Sequence, residues 1–362
     1  MKILYILPSY NIYGGTPRKT LWLLEYFKEN AVLYVYSDSE KEFKKFFDQT
    51  GAKIYEGNYG KNIFKHIKKI LKIIDEEKID IVHTQFVFGE TLAFFIKLFR
   101  PNIKVINAFV GSLPPENRLK YKLISYFYRK FDGFIYVSNY VRKEKEGQFP
   151  ILKNKISKVI YNGVEKRDIK KFDKLKLNKY SLYTTSGLTK IKNLSVLIKA
   201  LNILINDKNY KNIYLYIVGD GPEKENLERL IKQFNLGKNI FLLGYKTNVG
   251  YFLKECDIYV HPAYAEGFGI AVAEAMIEAK PIIVSNAGAL PELIENKKSG
   301  LVVDAFNEKE WANAIEYLIK NPEYAKQLGL NAKERAKKMF SKENFVKNYE
   351  NFYKEILNEQ KN

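Results

Sequence analysis

Two glutamates and two glycines in one short stretch have the spacing of a ligand-binding turn. Glu266-Gly267-Phe268-Gly269 follows an apolar run that ends at Pro262, and Glu274 comes eight positions after Glu266. Gly267 and Gly269 let backbone amides approach a ligand at the start of a helix, where free N–H groups and the helix dipole favour a phosphate. The carboxylates of Glu266 and Glu274 can each accept hydrogen bonds from sugar hydroxyls, and Glu274 suits the two hydroxyls of a ribose. The stretch predicts a site for a phosphorylated sugar compound.

The spacing of these two glutamates carries little information by itself. Glu308 and Glu316 have the same separation, and there a solvated helix face explains it. For Glu274 the simpler interpretation is a carboxylate that stabilises the positive end of a helix dipole. What favours a functional interpretation is the order of elements, in which a strand, the glycine turn, a helix and the strand Ile282–Ser285 follow one another.

No metal site is predicted from the remaining residues that could do chemistry. His66, His83 and His261 are dispersed along the chain and lack the spacing of zinc ligands. No Asp-x-Asp pair is present to hold a metal–diphosphate. The single cysteine, Cys256, excludes an internal disulfide and favours a reducing cytoplasm.

The charge excludes some classes of function. The chain has 362 residues with 60 Lys+Arg against 41 Asp+Glu, which gives +19, but only 8 of the basic residues are arginine. Nucleic-acid interfaces favour arginine for bidentate contacts, and here the lysines are spread evenly, so nucleic acid is not an expected partner. No apolar stretch approaches the roughly 18 residues of a membrane-spanning helix, and no secretory signal precedes the first apolar run.

Two basic, partly apolar segments, 61–72 and 118–131, leave a peripheral membrane role open. Each can rest on an anionic lipid surface, although packing of an ordinary amphipathic helix on its sheet explains each one by itself. Together with the net charge they make peripheral binding at the cytoplasmic face of a membrane a hypothesis.

Short apolar runs alternate with longer amphipathic ones along the whole chain. The first series runs from Ile3–Leu7 to Val159–Tyr161, and a second begins at Leu182–Thr185 after the polar, lysine-rich stretch Lys166–Lys179. This alternation predicts two doubly wound α/β domains with parallel sheets, residues 1–168 and 169–344, facing a central cleft. We expect the final helix, 345–362, to pack back on the first domain. Ligands bind beyond the carboxyl ends of the strands in such sheets.

Several segments in this order resemble the retaining glycosyltransferases of family 4, which have the GT-B fold. They are Gly14-Gly15, Tyr136-Val137-Ser138, Val159–Val164, Ser186–Asn193, Val218–Pro222 and the block from Glu266 to Glu274. Each segment is of modest specificity, whereas their order and spacing over nearly the whole chain are hard to obtain by chance. The resemblance implies a donor domain in the second half of the chain and an acceptor domain in the first.

The resemblance also implies roles for single residues. Lys192 would bind the donor diphosphate and neutralise charge on the departing nucleotide without a metal or other cofactor. Glu266 would hold hydroxyls of the transferred sugar, and Glu274 the ribose. The further donor-binding positions are Gly14, Gly15, Gly219 and the backbone amides of Phe268, Gly269 and Ile270.

The chain departs from the family pattern at two positions. Gly187 stands where members commonly have an arginine that grips the diphosphate, and Lys190 is the expected substitute, without the planar fork of an arginine. Val110 stands where many members have a histidine near the acceptor. On the acceptor side the candidates are therefore Arg18, His83 and the position of Val110.

These features predict a retaining glycosyltransferase that moves a sugar from a nucleotide-diphosphate sugar to a hydroxyl of a glycan or lipid-linked acceptor, in cell-surface polysaccharide or glycolipid synthesis. Two alternatives stay open. One is a nucleotide-sugar epimerase of the same fold, and the other is a non-catalytic GT-B partner subunit, which Gly187 and Val110 suggest. The nucleotide base, the sugar, the linkage and the oligomeric state are not determined by the sequence.

Overall fold

The structure, a computed structural model, describes residues 1–11, 15–37, 39–111, 118–166 and 180–359, with the backbone alone at 118–120. Residues 167–179 of the predicted linker lie outside the described residues, as does Gly14. The chain divides into two compact units, residues 1–163 with 342–362 and residues 164–341.

Each unit is built on one parallel sheet within the described residues. The first has seven strands in the order β3-β2-β1-β4-β5-β6-β7, and the second has six in the order β10-β9-β8-β11-β12-β13. The strands are β1 (Ile3–Leu7), β2 (Ala31–Val35), β3 (Lys53–Glu56), β4 (Ile81–Thr84), β5 (Lys104–Phe109), β6 (Gly133–Tyr136), β7 (Ile156–Val159), β8 (Ser181–Thr185), β9 (Tyr214–Val218), β10 (Ile240–Leu242), β11 (Ile258–His261), β12 (Ile282–Ser285) and β13 (Leu301–Val303).

Helices connect the strands, as parallel pairing requires. They are α1 (Gly15–Phe27), α2 (Lys44–Asp48), α3 (Ile63–Glu77), α4 (Val87–Phe99), α5 (Arg118–Lys130), α6 (Asn139–Gln148), α7 (Leu194–Asn202), α8 (Lys224–Gln233), α9 (Val249–Glu255), α10 (Ile270–Ile277), α11 (Leu290–Leu293), α12 (Glu308–Lys320), α13 (Pro322–Phe340) and α14 (Lys342–Asn358). These two sheets confirm the predicted pair of doubly wound α/β units.

Both faces of the first sheet are covered. Tyr5 and Leu7 of β1 share a buried cluster with α1 and α14. Ile6 points to the opposite face, because its Cγ2 lies 3.6 Å from where a Cβ on Gly89 of α4 would be. This coverage explains why the strands read as continuous apolar runs rather than alternating ones.

Helix α14 belongs to the first unit although it ends the chain. Its stripe of Phe345, Tyr349, Phe352 and Ile356 is buried in the same cluster as β1 and Trp22 of α1. Each such side chain contributes about 1.5–3 kcal/mol when it leaves water, so the helix stabilises this unit substantially. Gly133 of β6 makes room for it, since a Cβ there would lie 2.6 Å from Ile356 Cδ1.

The structure adds elements that the apolar pattern does not predict. Strand β3 carries charged residues at both ends, and β7 spans Ile156–Val159 rather than Val159–Tyr161. Helix α4 is apolar around most of its circumference because it packs against α3 and α5 as well as against strands β4 and β5. In the part of the chain that the structure describes, no helix combines the length and hydropathy needed to span a membrane.

Candidate nucleotide-sugar site

The candidate site lies where the strand order of the second sheet reverses. Strand β8 pairs with β9 on one side and with β11 on the other, so the connections after β8 and β11 leave in opposite directions. In open α/β sheets the crevice at such a switch point is where ligands bind. Lys192 lies in the turn after β8, and Glu266 lies in the loop after β11.

Backbone hydrogen bonds hold these two loops together. The amide of Tyr264 donates to the carbonyl of Ile191 at 2.9 Å, which joins the loop after β11 to the turn that carries Lys192. The hydroxyl of Ser285 at the end of β12 donates to the carbonyl of Ala263. The positions of Lys192 and Glu266 are therefore fixed by main-chain contacts as well as by their own side chains.

The side chains of Lys192, Glu266 and His261 meet at one oxygen atom. Lys192 Nζ donates to Glu266 Oε2 at 2.6 Å, and His261 Nε2 lies 3.0 Å from the same oxygen. The side chains of Lys192 and Glu266 are 20% and 16% exposed, and that of His261 is 3% exposed. Lys192, the residue predicted to bind the diphosphate, is thus a direct neighbour of Glu266, the residue predicted to bind the sugar.

This arrangement keeps Glu266 ionised. Burial by itself would raise the pKa of the carboxyl group, but hydrogen bonds and electrostatic interactions with His261 and Lys192 outweigh it and lower the pKa to about 2. Glu266 therefore accepts hydrogen bonds at neutral pH and does not act as a proton donor.

Two glycines near Glu266 are explained by the backbone, Gly269 by its conformation and Gly288 by close packing. Gly269 has φ 98° and caps the N-terminus of α10, a conformation that L side chains rarely adopt. Gly288, with φ 61°, comes so close to Glu266 that a Cβ would lie 2.6 Å from its backbone nitrogen and oxygen. The amide of Ala289 donates to the Glu266 carbonyl at 2.9 Å. The loop after β12 therefore holds the backbone of Glu266 in place.

The first amides of α10 have no acceptor within the helix, since the first intrahelical bond from this turn is donated by Ala273 to the Gly269 carbonyl. Ile270 begins the helix, and Phe268 is buried with its ring against Phe340. Glu274 lies in the second turn and is 4% exposed. Its role toward a ribose stays a prediction.

The structure requires glycine at position 219 whether or not a nucleotide binds there. It has φ 145°, and a Cβ there would lie 1.9 Å from the carbonyl oxygen of Ser186. The turn after β9 thus packs on the protein's own backbone at the end of β8. Lys190 and Gly187 are both exposed. A Cβ added at Gly187 would have the carbonyl oxygen of Asp220 as its nearest neighbour, at 3.9 Å.

The first unit holds the remaining candidates. Gly15 begins α1, and Arg18 lies on that helix with its guanidinium 5.8 Å from the centre of the Trp22 ring. Val110 follows β5 and is 37% exposed. The expectation that His83 faces an acceptor is wrong, because His83 is fully buried, stacks on Tyr349 and hydrogen-bonds Tyr353 at 2.6 Å through Nδ1.

Sequence reasoning missed His261 as a member of the site. The available signal was its place at the end of a strand, five positions before Glu266. Within the described ranges, no group of three or more His, Cys, Asp and Glu side chains has the geometry of a metal site.

Comparisons with known proteins identify the family of this chain. The family model described as Glycosyl transferases group 1 matches residues 165–335, and that of Glycosyltransferase Family 4 matches residues 29–167. An uncharacterized glycosyltransferase of Methanocaldococcus jannaschii is 30% identical over 325 residues, 83% of this chain and 88% of that protein. An O-antigen biosynthesis glycosyltransferase of Escherichia coli, WclY, is 25% identical over 99% of both chains.

A solved structure of HepE from Anabaena in complex with UDP-glucose superposes with a TM-score of 0.82 at 19% identity, over 98% of this chain and 100% of that one. Two units, each built on a parallel Rossmann-like sheet, define the GT-B fold. The chain belongs to glycosyltransferase family 4.

Proposed function

We propose that this protein transfers a sugar from a nucleotide-diphosphate sugar to a hydroxyl of a glycan or lipid-linked acceptor, with retention of anomeric configuration and without a metal. The observation that carries the proposal is the shared oxygen of Glu266, which binds Lys192 and His261 beside the N-terminus of α10. The relative named for O-antigen biosynthesis supports a role in surface polysaccharide synthesis. HepE, whose structure holds UDP-glucose, supports a nucleotide-sugar donor.

On the donor side the charges complement a diphosphate. Lys192 and the amides at the start of α10, which have no acceptor within the helix, present positive charge that can stabilise the charge developing on a leaving diphosphate. This supply of positive charge is the reason that we propose transfer without a divalent cation. Activity that is unchanged in the presence of EDTA supports this part of the proposal, and activity lost with EDTA and restored by Mg²⁺ contradicts it.

The properties of Glu266 favour departure and attack on the same face of the sugar. A carboxylate with a pKa near 2 and two hydrogen bonds on Oε2 is a weak base and a weak nucleophile. We therefore assign Glu266 to binding sugar hydroxyls rather than to a covalent intermediate. The leaving phosphate oxygen then takes the proton of the acceptor hydroxyl as the new glycosidic bond forms.

The test begins with calorimetric titration of UDP-glucose, UDP-galactose, UDP-N-acetylglucosamine, GDP-mannose and dTDP-rhamnose. For the donor that binds, Lys192→Ala and Glu266→Ala are each expected to weaken binding by about 10- to 100-fold, the range for a charge-assisted hydrogen bond. The matched control is Glu316→Ala on α12, because Glu316 is also 16% exposed and also bonded to two lysines, Lys208 and Lys320. Equal binding by all three variants contradicts the site.

Incubation of the donor without an acceptor separates the alternatives. A transferase leaves the donor unchanged or hydrolyses the donor slowly, whereas an epimerase yields an isomerised donor that NMR detects. A non-catalytic subunit binds none of the five donors. The anomeric proton of the transferred sugar in the product then tests retention.

We also propose that the first unit rests on an anionic membrane from the cytoplasmic side. Phe64 at the start of α3 is 84% exposed beside exposed lysines, and Leu123 on α5 is 54% exposed. Insertion of such apolar side chains among basic ones stabilises binding to an anionic surface. Sedimentation with phosphatidylglycerol vesicles, and not with phosphatidylcholine vesicles, is expected and should fall in the Phe64→Ser/Leu123→Ser variant. Equal sedimentation with both lipids contradicts the proposal.

A further inference from the structure

Both ring nitrogens of His261 have a partner, Tyr259 at Nδ1 and Glu266 at Nε2. It ends β11 and is 2% exposed, and its ring stacks on that of Tyr259 with centres 6.2 Å apart and planes 15° apart. Its Nδ1 lies 3.3 Å from the hydroxyl of Tyr259, which is itself fully buried. The Nε2 atom must donate to Glu266, because an ionised carboxylate only accepts hydrogen bonds.

The two oxygens of Glu266 differ in their surroundings. Oε2 accepts from both Lys192 and His261. Oε1 accepts no hydrogen bond from any residue that the structure describes. The carboxylate is therefore anchored through one oxygen, and the other is available to a hydroxyl of a bound sugar.

Lys192 and His261 differ as anchors. The lysine ammonium is a point charge on a flexible four-carbon chain and is 20% exposed, so a diphosphate with two or three negative charges draws it away from Glu266. The imidazole of His261 is fixed by the strand end and by Tyr259, and it has no such freedom. Once the donor binds, His261 is the anchor that Oε2 retains.

We propose that His261 is a positioning residue, which holds Oε2 of Glu266 so that Oε1 stays directed to the transferred sugar after Lys192 has turned to the diphosphate. This inference rests on the proposed function. It assigns to His261 a role in recognising the sugar and none in recognising the nucleotide.

The test compares the affinities for UDP-glucose and for UDP, or for the corresponding pair if another of the five donors binds. The ratio of the two affinities measures the contribution of the sugar. His261→Phe keeps the ring on Tyr259 but lacks the donor, and we expect it to reduce this ratio by about 10-fold or more while the affinity for UDP stays within about 2-fold. His261→Gln places an amide donor near the former Nε2 and should restore most of the ratio.

The outcomes separate the two proposals. If the wild-type protein binds none of the five donors, the proposed function fails and the role of His261 falls with it. If the wild-type protein binds a donor and His261→Phe lowers the affinities for donor and nucleotide equally, His261 is only structural and this inference is wrong. A ratio unchanged in both variants also overturns it. Circular dichroism and thermal unfolding show whether each variant is folded, and His261→Leu, which also lacks a hydrogen-bond donor, replaces His261→Phe if the latter misfolds.

Discussion

Substitution of Glu90 by glutamine should stabilise the first unit, and the gain should grow with pH. Glu90 lies on α4, is 4% exposed, and accepts hydrogen bonds from Asn107 Nδ2 at 3.0 Å and Tyr128 Oη at 3.2 Å. Burial raises its pKa from 4.5 to about 7, although these hydrogen bonds and the charge of Lys145 oppose the rise. The folded state therefore favours the neutral carboxyl group, which glutamine resembles.

The magnitude follows from the shift of the pKa. A change from 4.5 to about 7 corresponds to about 3 kcal/mol, since each pKa unit is worth about 1.4 kcal/mol. The unfolded chain loses its proton at pH 4.5 and the folded one near pH 7, so the wild-type protein loses stability as the pH rises through this interval. Glu90→Gln has no proton to lose. Its advantage should be small at pH 5 and about 3 kcal/mol at pH 8.

The assay is urea unfolding at pH 5, 6, 7 and 8, followed by fluorescence. The chain has two tryptophans, Trp22 in the first unit and Trp311 in the second, so a Trp311→Phe background reports the first unit alone.

The matched control is Glu77→Gln. Glu77 is 8% exposed in the same unit, but hydrogen bonds from Lys2 and Lys53 lower its pKa to about 2. It is ionised at every pH of the series, so this variant should be less stable than the wild type by an amount that does not change with pH. If Glu90→Gln follows the wild-type curve from pH 5 to 8, Glu90 is ionised in the fold, its charge is compensated by Lys145, and the reasoning is refuted.

Two further predictions concern the site. Gly288→Ala should displace Glu266 and weaken nucleotide-sugar binding at least 10-fold by calorimetry, because its Cβ would lie 2.6 Å from the Glu266 backbone at a φ of 61°; unchanged affinity would show that the loop after β12 does not support the site. Gly187→Arg should fold with an unchanged melting temperature, since the nearest atom to the new Cβ is 3.9 Å away. It should also bind UDP about 10-fold more tightly at low salt, and a salt-independent affinity would place residue 187 away from the diphosphate.

Some elements were predictable because their local pattern suffices. Strands such as Ile3–Leu7 and Ile282–Ser285 are short apolar runs, and they occur in the structure at the predicted residues. Strand β3 was not predictable in this way, because Lys53 and Glu56 stand at its ends and it lies at the sheet edge, where one side stays open to solvent. Its pairing with β2 makes it a strand.

Two histidines show that the surroundings of a single residue can also depend on tertiary packing rather than on local sequence. His83 is the next-to-last residue of β4 and His261 is the last residue of β11; both strands are buried, and nothing in the immediate sequence tells the two histidines apart. Helix α14, which begins at Lys342, returns to the first unit and encloses His83 between Tyr349 and Tyr353. His261 meets Glu266 because the loop after β11 folds back over the strand end.

The sequence by itself determined the two parallel α/β units and the glycine turn that precedes α10. These follow from local apolar runs and from backbone conformations that only glycine adopts readily. Only the tertiary structure decided that Lys192 contacts Glu266, which is 74 residues away, and that His261 contacts the same carboxylate oxygen of Glu266. The physical reason is the pairing of β8 with β11, since strand order depends on long-range packing and not on the residues within either strand.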